Sequence, residues 1–167
     1  MDIIEKYSKS LQKEILTQFK ELMLICGEEY DKRSLALVKN SFTFLLKHTG
    51  EEQLINGIPL VKFSAGLSQM AVKELGMDAI GASATLLLHC VELNHLSAGE
   101  VKSGIGDRTA TVIEEFLKIS NLDTTTSQGQ AENMRNLILT LATDFRVILV
   151  KIAERLHLMR HMDILHE

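Results

Sequence analysis

The sequence predicts an all-α domain. Two observations carry that prediction. Apolar residues recur at helical spacing along most of the chain, and caps or breakers separate those stretches. The composition agrees: one proline, no tryptophan, and many Leu, Ala, Lys and Glu favour helix over sheet. The 167 residues suit one domain, 1–167, with a sizeable core.

The elements follow in order. Residues 8–25 place Leu11, Ile15, Leu16, Phe19, Leu22 and Met23 on one helical face, and Gly27 is a plausible stop. Asp31 caps a second helix carrying Leu35, Val38, Phe42, Leu45 and Leu46, which stops near Gly50. "TGEEQLINGIP" reads as a loop. A third helix runs from about Val61 to Leu75 and is closed by Gly76. Asp78 caps a fourth, which runs to about Asn94. Its core, "AIGASATLLLHCVEL", is small or apolar all round and should be buried on every side. "SAGE" from Ser97 is a capping box opening a short helix. "GIGD" precedes a helix from Arg108 to Ile119, with Gly104 and Gly106 read as turn glycines. The polar "SNLDTTTSQG" is a connection, Gln130–Thr143 a helix, and Asp144 the N-cap of a last helix reaching about Asp163. The total is about seven or eight helices.

Composition excludes several classes. A net charge of −4 argues against a nucleic-acid surface, which is basic. The longest apolar stretch, about Ala79 to Val91, is shorter than the ~20 residues a membrane helix needs. The acidic, polar "MDIIEKYSKSLQKE" is no signal peptide. Cys26 and Cys90 lie in apolar segments, as reduced cytoplasmic thiols do.

Two helices carry polar groups inward. "LLLHCVELNH" places His89 and Cys90 at the end of the buried fourth helix, with Glu92, Asn94 and His95 after them. On the last helix, at ~100° per residue, Phe145, Ile148, Leu149, Ile152, Leu156 and Met159 form one apolar stripe. A second face holds Val147, Val150, Glu154, His157, Leu158 and His161, flanked by Arg146, Lys151, Arg155 and Arg160. A carboxylate in the middle of an apolar face has buried partners or points into a pocket.

These residues are recognisable. "QAENMRNLILTLATDFRVILVKIAERLHLMRHM", Gln130–Met162, resembles the end of the hydrolase domain of RelA/SpoT proteins, which make and degrade the alarmone (p)ppGpp. "ELGMDAIGASATLLLHC", Glu74–Cys90, resembles the same family's LGLDA…LLHD segment. The resemblance covers roughly Leu60–Met162 and implies the all-α HD-domain fold. It also implies a manganese ion and removal of pyrophosphate from the 3′ position of a guanosine nucleotide. A metal suits that chemistry because it lowers the pKa of bound water.

Carried over residue by residue, the implied ligand positions are altered. The histidine of the His-Asp pair is His89, but the aspartate is Cys90. An earlier histidine falls at Ser64, with Ala65 its neighbour if the register slips by one. The last aspartate is Glu154, one methylene longer. The Glu-Asp pair that assists the attacking water leaves only Glu92 and Asn94. The nucleotide-contacting asparagine of RLHNMR is Leu158.

Bland roles stand beside the functional ones. His89 serves as a hydrogen-bonded core residue or as a surviving ligand. Cys90 serves as a small hydrophobe or, with His89, His95 or Glu154, as a zinc ligand. Glu154, His157 and His161, at i, i+3 and i+7, form a metal face or a helix-end scaffold.

The resemblance therefore implies a hydrolase domain that has lost alarmone hydrolysis and holds no cofactor. It would be the N-terminal piece of a longer RelA/SpoT protein, with the attached synthetase domain as partner and a guanosine nucleotide as the possible ligand. Neither nucleic acid nor membrane is expected. The alternative is an active 3′-pyrophosphohydrolase with substituted ligands, using Zn²⁺ through Cys90. A free-standing nucleotide sensor would need basic residues at the pocket mouth.

Overall fold

The computed structural model describes residues 3–54, 57–120 and 144–162, and only Glu132, Met134, Arg135 and Leu139 of the stretch between the last two. Most of the helix expected over Gln130–Thr143 and the polar connection before it lie outside the described residues, as does the helix end expected at Asp163. Among the described residues there are seven helices and no strand: α1 Lys9–Glu29, α2 Lys32–His48, α3 Leu60–Leu75, α4 Ala79–Glu92, α5 Ala98–Gly104, α6 Asp107–Ser120 and α7 Arg146–Met162. The molecule is all-α, as its periodicity predicts.

Helix α4 is the axis of the fold. It packs against α2, α3, α6 and α7, and from Gly81 to Val91 every residue is buried. A helix of small and apolar residues can be surrounded in this way without leaving a polar face stranded. The expected caps form. Asp78 accepts from the Gly81 amide, Asp31 from the Ser34 amide, and Ser97 and Glu100 close the capping box. Gly76 takes the left-handed conformation that ends α3 (φ 60°).

Three boundaries differ from expectation. Helix α1 passes through Gly27 and ends at Glu29, where Tyr30 turns extended and its hydroxyl donates to the Met77 carbonyl. Tertiary anchoring of Tyr30 sets that end, not the glycine. Helix α4 stops at Glu92, two residues early, because Asn94 adopts a left-handed turn (φ 59°). Gly104 is the last residue of α5 and not a turn residue. A Cβ there would come within 2.5 Å of the Phe44 ring, so the glycine permits close packing. Gly106, with φ 147°, makes the turn.

Among the described residues no helix is long and apolar enough to cross a membrane.

Candidate functional site

Three helices carry the singled-out residues into the interior. Ser64 comes from α3, His89 and Cys90 from α4, and Glu154 from α7, and all four are buried. Phe63 organises the region. Its ring meets the His89 imidazole edge-on at 5.1 Å and that of His157 at 4.5 Å.

The α7 register explains how Glu154 arrives there. Val147, Val150, Ala153, Glu154 and His157 face inward, while Phe145, Ile152 and Met159 are exposed. The face with the carboxylate is thus the core face. Glu154 is only 8% exposed. Its charge is balanced by Lys151, whose Nζ lies 3.3 Å from Glu154 Oε2. The Lys151 ammonium also donates to Ser120 Oγ at 2.9 Å and stands over the Phe116 ring. Lys151 was read from the sequence only as a flanking cation; its i, i+3 spacing to Glu154 is the signal that marks the pair.

His89 is neutral at physiological pH. Burial, and secondarily the Lys151 charge, lower it to about 4. Its Nε2 is 3.8 Å from Glu92 Oε2, and its Nδ1 has no hydrogen-bond partner among the described residues. Glu92 is raised by burial and by the Glu154 charge, while Lys151 opposes the shift. Glu92 thus borders this cluster from the surface. Asn94 and His95 are exposed beyond it.

Cys90 follows His89 on α4 and so projects about 100° further round the helix. Burial pushes its thiol up to about 12, and the charge that acts on it is Glu52, not Lys151. Glu52 also acts on Tyr7, whose hydroxyl donates to Thr49 at the end of α2. Cys90 therefore belongs to the α2 side and His89 to the α6–α7 side. The trio of Glu154, His157 and His161 likewise divides: Glu154 joins Lys151, whereas His157 and His161 line a groove on the outer side of α3.

The donor chemistry can be set against the manganese that the resemblance implies. Mn²⁺ selects hard carboxylate oxygens with imidazole. The positions supply a hydroxyl, an imidazole, a protonated thiol, and one carboxylate already paired with an ammonium. Among the described residues no group of three His, Cys, Asp or Glu side chains could hold a metal ion. These residues do not fit manganese. The polar atoms Ser64 Oγ, His89 Nδ1 and Glu154 Oε2 are nevertheless all buried without a hydrogen-bond partner.

Comparison with known proteins now joins the geometry. The HD-domain family model matches residues 41–167. The chain is 30% identical over 140 residues to a probable guanosine-3′,5′-bis(diphosphate) 3′-pyrophosphohydrolase of Synechocystis, covering 83% of this chain and 18% of that protein. It is 33% identical over 119 residues to the corresponding enzyme of Aquifex aeolicus, covering 71% and 17%. A probable GTP pyrophosphokinase of Mycobacterium leprae is 27% identical over 144 residues, covering 86% and 18%. The chain spans less than a fifth of the length of these curated relatives. The matched span and the helical architecture agree: the chain belongs to the HD-domain family, as a RelA/SpoT-type HD domain.

Proposed function

We propose that this chain is an alarmone-hydrolase domain whose catalytic site has been dismantled, and that it acts by contact on a synthetase domain of the same protein. The observation that carries the reading is that Ser64 and Cys90 stand at two of the ligand positions the resemblance implies. Leu158 takes the place of a polar nucleotide contact. The relatives' names cover both pyrophosphate removal and GTP pyrophosphorylation, so the parent chain is read as a cytoplasmic pyrophosphokinase of the stringent response. A domain without chemistry can still bias the state of a neighbour it packs against.

A second reading rests on the buried Ser64 Oγ and His89 Nδ1, which have no hydrogen-bond partner among the described residues. It is an active 3′-pyrophosphohydrolase with a substituted ligand set. One experiment separates the two. Metal content and ppGpp hydrolysis are measured on one purified sample, with Mn²⁺ and then Zn²⁺ supplied. The dismantled site releases no pyrophosphate under either ion. Hydrolysis that disappears in Glu154→Ala would establish the second reading.

A further inference from the structure

A second set of imidazoles lies across Phe63 from the region described above. Helices α1, α3 and α7 enclose a surface groove of about 540 Å³ whose walls include Gly66, Gln69, Lys73, His157, Arg160 and His161. His157 and His161 are one helical turn apart, with ring centroids at 4.3 Å. That i, i+4 spacing is the one by which a single helix offers two nitrogens to one metal ion.

The His161 tautomer is set. His161 Nδ1 donates to the His157 carbonyl at 2.8 Å, which leaves its Nε2 as a lone pair. His157 Nε2 is buried without a hydrogen-bond partner among the described residues. An imidazole whose Nδ1–H is pinned on a carbonyl is the usual second-shell arrangement of a metal-binding histidine. Gly66 on α3 makes room for the ring: a Cβ there would sit 3.0 Å from His157 Cε1 and 3.3 Å from Nε2. Of the cations on the groove wall, Arg160 is held by Glu74 through two bonds of 2.6 and 2.8 Å.

We infer that His157 and His161 form a two-histidine site for a borderline divalent transition ion such as Zn²⁺ or Ni²⁺. Two coordination positions come from the protein and the remainder stay open to water in the groove. Imidazole suits these ions, whereas hard Mn²⁺ prefers carboxylates. The site shares the Phe63 ring with the Ser64–His89–Glu154 region but takes no ligand from it.

Titration of the purified, tag-free chain with Ni²⁺ and with Zn²⁺, followed calorimetrically, tests the proposal. One equivalent should bind. His161→Ala, a change at a half-buried position, should weaken binding by at least roughly tenfold, the loss that even an outer-shell partner can produce. Gly66→Ala, which presses on the His157 ring, should weaken it while the far-ultraviolet spectrum stays helical. Cys90→Ala should leave it unchanged. No binding in the wild-type chain, or binding that survives His161→Ala, overturns the proposal. Loss in Cys90→Ala alone would move the ion to the other region and overturn it equally.

Discussion

Single side chains decide whether two helical glycines are replaceable. Gly81 lies in the first turn of α4 and Gly104 at the end of α5. A Cβ at Gly81 meets chiefly the terminal methyl of Met77, the far end of a flexible chain. Gly81→Ala should therefore stabilise the fold by up to about 1 kcal/mol, through the lower entropy of the unfolded chain. A Cβ at Gly104 meets the Phe44 ring at 2.5 and 2.7 Å. That ring also lies 4.4 Å from the His48 ring and has less room to yield. Gly104→Ala should cost about 1–3 kcal/mol, as overpacking does. Urea unfolding midpoints of the two variants should move in opposite directions. Gly104 also shows a limit of local reading. "GIGD" looks like a turn from either glycine, and only the approach of Phe44, sixty residues earlier in the chain, distinguishes packing from turning.

Helices α4 and α7 are joined at their N-terminal ends through one carboxylate. Asp78 Oδ1 caps α4 by accepting from the Gly81 amide at 2.9 Å, and Oδ2 takes Arg146 Nε at 2.8 Å. Asp78→Ser keeps a capping oxygen and loses the ion pair, so it should cost roughly 0.5 kcal/mol. Asp78→Ala loses both and should cost about 1–2 kcal/mol. Equal losses would refute the capping role. The α7 register makes a second prediction. Ile152→Gln, on the exposed stripe, should leave stability within about 0.5 kcal/mol, whereas Val150→Ala, on the core face, should cost about 1–3 kcal/mol. Helices, caps and the buried α4 were legible because periodicity and capping are local properties. The wheel found both apolar faces of α7 but could not say which is covered, since that depends on where α3, α4 and α6 lie. The candidate site was legible to the same depth. His89 and Glu154 were placed from spacing and resemblance. The Lys151–Glu154 pair follows only from packing.

At the scale of the whole molecule, two buried neutral imidazoles make folding a proton-linked event. His89 and His157 are lowered to about 4, in both cases chiefly by burial. In the unfolded chain a histidine titrates near ~6.5. Between those values the unfolded state holds protons that the folded state does not, so stability falls as pH falls. The slope approaches roughly 1.4 kcal/mol per pH unit for each histidine. Glu92 works in the opposite sense. Its carboxyl is raised by burial and by Glu154, so its unfavourable contribution is relieved as it takes up a proton. Glu92 is largely exposed, and its offset is correspondingly smaller. Acids with lowered values, such as Asp31 and Glu74, lose their contribution at still lower pH, and both are surface groups. The net expectation is a stability that holds above about pH 7 and declines from there toward pH 4. Unfolding midpoints measured across that range should show the decline, and His157→Gln should remove about one proton from the slope even if it lowers stability overall. A slope identical in His157→Gln and the parent chain would show that this imidazole titrates alike in the folded and unfolded states, and that its burial does not destabilise its charged form.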